Sequence, residues 1–249
     1  FDGIDFRGYL DALDITQCPE FTTHGKETFR RIKDAGLEVP CLSSSVRMYT
    51  SQPGDREKYD DEIIRYAEVC NTFETPYIRI FGGKIKDADR EQAIEAAIEN
   101  LIKMVDVGEK YDVKILLETH DDWLDCRVLK RLMENVNSEH IGILWDIHNP
   151  YVFIDEHPAA TVARLGKWIH YTHWKDSKID RQNDPGYIVS LMGDGDLPLG
   201  EMYRLLKENG YSGYLTLEWE KRWHPEIPPP EVAFLQFCEY MRKIVEAFS

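Results

Sequence analysis

The feature that most constrains this chain is a regular alternation. Short β-branched or aromatic runs recur, each followed by a longer stretch with apolar residues at helical spacing. Residues 3–6 make the first strand-like run and 25–35 the first helix, with Phe29 and Ile32 on its buried face. A strand over 39–44 precedes a helix over 55–73, where Ile63, Ile64, Ala67 and Val69 recur at helical spacing. The run 77–81 is a strand closed by Gly82-Gly83, and the clearest helix follows over 90–111, with Ala93, Ala97, Leu101, Met104 and Val105 on one side. Further strands are expected at 113–118, 141–146, 168–173 and 213–218. Helices are expected at 126–135, 158–165, 199–209 and 230–247, with a long loop holding Gly193 and Gly195 ahead of residue 199.

Strict alternation implies parallel strands joined by right-handed crossovers. An open doubly wound sheet would place its ligand at one switch point, beside a glycine-rich phosphate turn. No GxGxxG follows the first strand, whereas polar residues recur at the carboxyl ends of many strands, the pattern of an α/β protein of the (β/α)8 TIM barrel type. The sequence shows seven strands where such a barrel has eight, so the first βα unit is expected upstream of Phe1. No linker or low-complexity segment interrupts the pattern, and residues 1–249 are expected to form a single domain.

Bulk properties narrow the function. The net charge of −15 repels phosphate backbones, and the densest basic run, Arg30-Arg31-Ile32-Lys33, ends at Asp34, so nucleic acid is not an expected partner. Five cysteines without CxxC or paired spacing imply reduced thiols and a cytoplasmic protein. No apolar run is long enough to span a bilayer, so no membrane partner is expected. A homo-oligomer is allowed.

Four successive strands end on a potential metal ligand: Leu117-Glu118, Trp145-Asp146, Thr172-His173 and Leu217-Glu218. A lone acid at a strand end is usually a helix cap or a solvated loop residue. Four at equivalent positions point to something shared, because strand ends of a TIM barrel surround one mouth. Three carboxylates repel one another unless a cation or a proton intervenes. With an imidazole they suit one divalent metal ion, Mn²⁺ first, with Mg²⁺, Co²⁺ or Zn²⁺ also compatible.

The stretches Leu116-Leu117-Glu118-Thr119-His120, Leu144-Trp145-Asp146-Ile147-His148, His173-Trp174-Lys175-Asp176 and Leu217-Glu218-Trp219 resemble the metal-ligand motifs of the xylose isomerase-like superfamily. Gly193-Asp194-Gly195-Asp196 resembles its glycine-rich loop between the seventh and eighth strands, and Phe1-Asp2-Gly3-Ile4-Asp5 resembles its second strand. The resemblance covers the whole chain in order. It implies a sugar or sugar phosphate isomerase or epimerase, with Glu118 and Glu218 both binding metal and moving protons at a carbon next to a carbonyl. His173 and Asp146 would then be chiefly ligands. The same enolisation serves a dehydratase acting on an inosose or keto-sugar, which is the alternative.

Other members are apurinic-site endonucleases with a trinuclear zinc site. The resemblance gives these further histidines at the ends of the third and fourth strands, where this chain reads Leu42-Ser43-Ser44 and Phe81-Gly82-Gly83. A non-catalytic sugar-binding subunit is a further alternative. Ketose epimerases carry a His three residues after the Asp, where this chain has Asn149, with His148 one place earlier. They also carry an Arg a few residues beyond the metal-binding His, where this chain offers Lys175, Lys178 or Arg181.

Substrate contacts are therefore assigned to His120, His148, Asn149, Trp174, Lys175 and Arg181, with Arg79, Trp123 and Trp219 also at the mouth. Indole faces pack on the apolar side of sugar rings, and His and Lys supply directed donors. Lys175 beside Asp176 reads as a local ion pair orienting the loop.

Overall fold

The computed structural model describes residues 1–52 and 54–248. Its first half contains α1 (Gly25–Asp34), β1 (Cys41–Arg47), α2 (Asp55–Phe73), β2 (Tyr77–Phe81), α3 (Arg90–Tyr111), β3 (Lys114–Glu118), α4 (Cys126–Val136) and β4 (Ile141–Asp146). There follow α5 (Asn149–Ile154), α6 (Pro158–Leu165), β5 (Ile169–Trp174), β6 (Asp176–Ile179), β7 (Tyr187–Ser190), α7 (Leu199–Glu208), β8 (Leu215–Leu217) and α8 (Pro230–Ala247). The backbone divides into two compact units, Phe1–Trp123 with Val128–Leu144, and residues 124–127 with the chain from Trp145 onward.

In the first unit β1 to β4 pair in sequence order, all parallel, with Cys41 opposite Tyr77, Tyr77 opposite Lys114 and Ile115 opposite Ile141. Parallel strands are covered on both faces, so they read as continuous apolar runs. Ile115, Leu116 and Leu117 are accordingly all fully buried. Residues 3–6, expected as a strand, make only isolated parallel bridges, Gly3 to Glu38 and Phe6 to Leu42. Pro40 supplies the reason. Glu38 donates to Asp2 O and accepts from Ile4 N, and the next rung would need an N–H from residue 40. Proline has none, so the ladder breaks there.

Ala93, Ala97, Leu101 and Met104 form the buried stripe of α3, which begins where the Asp89 side chain accepts the Gln92 N–H at 3.0 Å. On α2, Ile63, Ala67 and Val69 are buried as expected, but Ile64 is exposed and the acid Glu62 is buried in its place. Glu62 Oε1 accepts the Ser45 N–H at 3.2 Å. Burial, followed by the nearby charge of Asp14, raises its pKa above the usual glutamate range. A raised folded-state pKa means stability is fully present below the ordinary Glu pKa and falls as pH rises through the folded one. Glu62→Gln keeps the acceptor and removes the buried charge. Its Tm at pH 7 is expected to exceed wild type by about 2–4 °C, the shift that ~1 kcal/mol gives in a chain of this size. The gain should vanish near pH 4, and an equal gain at both pH values would show that the carboxylate charge is not the cause.

In the second unit β5 pairs in parallel with β8, with Thr172 opposite Leu215 and Trp174 opposite Leu217. The Ile147 N–H donates to His173 O, tying the residue after β4 to β5. Two elements here were not expected from sequence. The stretch read as a loop contains an antiparallel hairpin, β6 with β7, pairing Asp176 with Ser190 and Ile179 with Tyr187. A short helix, α5, starts at Asn149, three residues after Asp146, with Pro150 in its first turn. Both are too short to show periodicity. Among the described residues, no helix is long and apolar enough to cross a membrane.

Candidate active site

In the first unit Glu118 ends β3 with its side chain fully buried. Its Oε2 lies 3.3 Å from Arg79 Nε, and Arg79 is itself 1% exposed. Arg79 was expected at an open mouth. Instead its Nη1 donates to Ser44 O at 2.9 Å, and the guanidinium lies 3.9 Å from the centre of the Phe81 ring. A buried carboxylate needs a cation to stay in place, and Arg79 on β2 supplies it from the strand beside it.

The second unit holds the other three strand-end residues. Asp146 Oδ1 accepts the backbone N–H groups of His148 at 2.8 Å and Asn149 at 3.0 Å, which caps α5. Its Oδ2 lies 2.9 Å from Lys175 Nζ. The same ammonium reaches Glu218 Oε2 at 2.5 Å and Glu220 Oε2 at 3.9 Å. His173 Nδ1 lies 3.7 Å from Glu218 Oε1. Burial alone would lower the Lys175 pKa, but Asp146, Glu218 and Glu220 together hold it well above the ordinary lysine value. Asp146 and Glu218 thus meet at one buried ammonium, and His173 lies beside Glu218. That donor set, carboxylate oxygens with one imidazole, suits a divalent ion. Glu220, two residues after Glu218 in the segment that follows β8, reaches the same ammonium, a residue the sequence reading passed over.

Asp176 does not pair with Lys175. It accepts backbone N–H groups from Ser177 and Gly193 at 2.8 Å, Gly195 at 3.0 Å and Leu197 at 3.4 Å, and so organises the glycine loop. Gly195 is required by space, since a Cβ there would sit 2.1 Å from Asp176 Oδ1. Gly193 is required by its φ of +85° and by the Tyr240 ring 2.2 Å from a Cβ.

The residues assigned to substrate divide. His148 and Asn149 are buried beside Asp146, with His148 Nε2 2.9 Å from Ser177 Oγ and Nδ1 3.3 Å from Asn149 Oδ1. Burial, then the charge of Lys175, lowers the His148 pKa to about 3, so the imidazole is neutral. Trp174 is fully buried on the face of β5 opposite His173, and its Nε1–H donates to Thr172 Oγ1 at 2.8 Å; it packs the core and offers no sugar platform. Arg181 donates to Val152 O and lies 2.6 Å from Asp155, which fastens it to the end of α5.

In the first unit His120 is partly exposed, 3.3 Å from Asp121, with its ring 4.7 Å from Phe81. Trp123 is fully buried against Gly82, and its Nε1 donates to Gly83 O at 2.7 Å. Trp219 Nε1 donates to Pro228 O at 3.0 Å. Away from these residues, Asp125, Cys126 and Glu156 offer ligand atoms within 4.8 Å of one another. Their oxygens are already used. Glu156 accepts from the Cys126 N–H and the Thr161 hydroxyl, and Asp125 accepts from Arg127, so the cluster caps and links helices.

A family model described as xylose isomerase-like TIM barrel matches residues 1–244. Inosose dehydratase from Bacillus velezensis is 24% identical over 129 residues, covering 47% of this chain and 41% of that protein. Fructoselysine 3-epimerase from Escherichia coli O157:H7 is 29% identical over 125 residues, covering 48% of this chain and 43% of that protein. The chain therefore aligns with less than half the length of the curated relatives it matches. Among solved structures, the IOLI protein with a bound zinc atom superposes with a TM-score of 0.80 at 18% identity, covering 99% of this chain and 88% of that one.

Proposed function

Because the chain belongs to the xylose isomerase-like TIM barrel family, we propose that it is a divalent-metal-dependent enzyme that isomerises or epimerises a sugar by moving a proton next to a carbonyl. The observation that carries the proposal is the meeting of Asp146 and Glu218 at one cation, where Lys175 Nζ lies 2.9 Å from Asp146 and 2.5 Å from Glu218, with His173 3.7 Å from Glu218. The zinc of the IOLI protein supports a divalent ion in this family. Asp146, His173 and Glu218 would hold it, and the strand-end motif of Glu118 is what makes it the fourth ligand of this proposal. When bound, such an ion polarises a carbonyl and stabilises negative charge developing on its oxygen. Mn²⁺ is the ion we favour for an oxygen-rich set.

Glu218 is the base that takes the proton from the carbon next to the carbonyl. It is three-quarters buried, with a side-chain exposure of 25%, and nearby Glu220 keeps the local field negative. In the epimerase reading Glu118 returns a proton to the opposite face. Asp146 and His173 position, and do not move protons.

A second reading is favoured by one observation, the buried ammonium of Lys175 beside Glu218. A dehydratase needs one base to take the proton and one acid to protonate the departing hydroxyl, which leaves as water. Lys175 is placed for the second role, and the inosose dehydratase match supports it.

The deciding experiment is proton exchange in D₂O, with Mn²⁺, across ketoses, inososes and their phosphates. Deuterium in a recovered or epimerised sugar supports the first reading, and loss of water supports the second. No exchange on any compound would end both. His173→Ala is expected to weaken Mn²⁺ binding at least about tenfold, with exchange partly recovered in excess Mn²⁺. Unchanged affinity by calorimetry would remove His173 from the ligand set.

A further inference from the structure

The antiparallel register of β6 with β7 sets Ile179 opposite Tyr187 and Ser177 opposite Val189. Cross-strand partners share a face, so Ser177, Ile179, Tyr187 and Val189 lie on one side of the hairpin. That side is turned to His148. Ser177 Oγ lies 2.9 Å from His148 Nε2, and the Tyr187 ring meets the imidazole edge-on with centroids 4.7 Å apart. Phe153 packs edge-on against Tyr187 at 5.8 Å, and His224 lies 6.4 Å away. Three rings therefore fix the orientation of the phenol.

Its polar end is a different matter. Tyr187 is half-buried, and among the described residues its hydroxyl makes no hydrogen bond. The hydroxyl is thus open to a ligand. Burial raises its pKa first, and Glu220, Lys175, Asp146 and Glu218 act on it next, so the hydroxyl lies within electrostatic reach of the proposed metal ligands.

We infer that Tyr187 is a substrate-contacting, specificity-determining residue, whose hydroxyl bonds a hydroxyl of a polyhydroxylated ligand while its ring covers adjacent C–H groups. The inference rests on the sugar-enzyme reading above and names a contact for that site. A phenol both donates and accepts without adding charge, which matches a neutral sugar hydroxyl. Its place on a hairpin held by Ser177 and His148 keeps the hydroxyl in one position, which is what selection among hydroxyl configurations requires.

The test uses the full chain with Mn²⁺. Two non-reacting polyols, myo-inositol and xylitol, are titrated by calorimetry, and KM and kcat are measured for the sugar that exchanges protons fastest. Tyr187→Phe keeps the ring packing and removes one hydrogen bond. Kd for the better-binding polyol and KM for the sugar should rise about three- to tenfold, with kcat changing by less than about twofold and Tm unmoved. Tyr187→Ala should weaken both further. Polyol and sugar binding unchanged in the Phe variant would overturn the inference, as would a wild-type protein that binds neither. If the wild type binds a polyol but exchanges no sugar proton, the catalytic reading fails separately, and Tyr187 is judged on the polyol Kd alone.

Discussion

With Glu218 replaced by Gln, the protein is expected to keep Mn²⁺ yet exchange the substrate proton about 10²–10⁴-fold more slowly, the usual worth of a positioned general base. The amide oxygen still offers a ligand and an acceptor for Lys175, so the loss reports on the proton and not on the scaffold. Metal content by elemental analysis and exchange by NMR in D₂O separate the two. Wild-type exchange in the variant would make Glu218 a ligand only. The neighbouring candidates are then poorly suited to replace it. His148 is buried with its pKa lowered to about 3, by burial first and by Lys175 second. Asp146, Glu218 and Glu220 hold the Lys175 pKa well above the ordinary lysine value, outweighing its burial, so its amine is not free to act as a base. Such a result would move the proton transfer to Glu118.

Lys175→Met is expected to destabilise the metal-free protein by about 3–5 kcal/mol, the cost of removing one partner from a buried ion pair. Asp146 is fully buried, so its carboxylate has no water to replace the lost ammonium. In a chain of this size the loss corresponds to a fall in Tm of roughly 6–20 °C. Saturating Mn²⁺ should restore most of it, since a divalent ion supplies the missing charge to the same carboxylates. Calorimetric scans in chelator and in Mn²⁺ decide the matter. Equal Tm values for variant and wild type in chelator would mean that Lys175 is not what holds Asp146 and Glu218 together.

How much of this was legible beforehand follows from what each feature depends on. Alternating apolar runs report burial directly, so β2, β3, β4 and α3 emerged with nearly their observed limits. The strand ends were legible for the same reason, because Glu118 and Asp146 each close an apolar strand, His173 is the penultimate residue of β5, and Glu218 follows β8. Where one residue overrides a pattern, the reading failed. Pro40 removes a single N–H and reduces an expected strand to two bridges. Trp174, beside a presumed ligand, turned to the other face of β5, as residue parity in a strand demands.

Sequence alone determined the family, the order of elements and the strand ends that carry chemistry, because these are properties of local period and of short motifs. Tertiary structure alone decided which charges meet. Lys175 chose Asp146 and Glu218 over its neighbour Asp176, and Asp176 turned to the amides of Gly193 and Gly195. Arg79 settled on Glu118, and a stretch read as loop became the hairpin that carries Tyr187 to His148. Adjacent residues on a strand point to opposite faces, so a buried charge finds its partner across the fold and seldom next to itself in the chain.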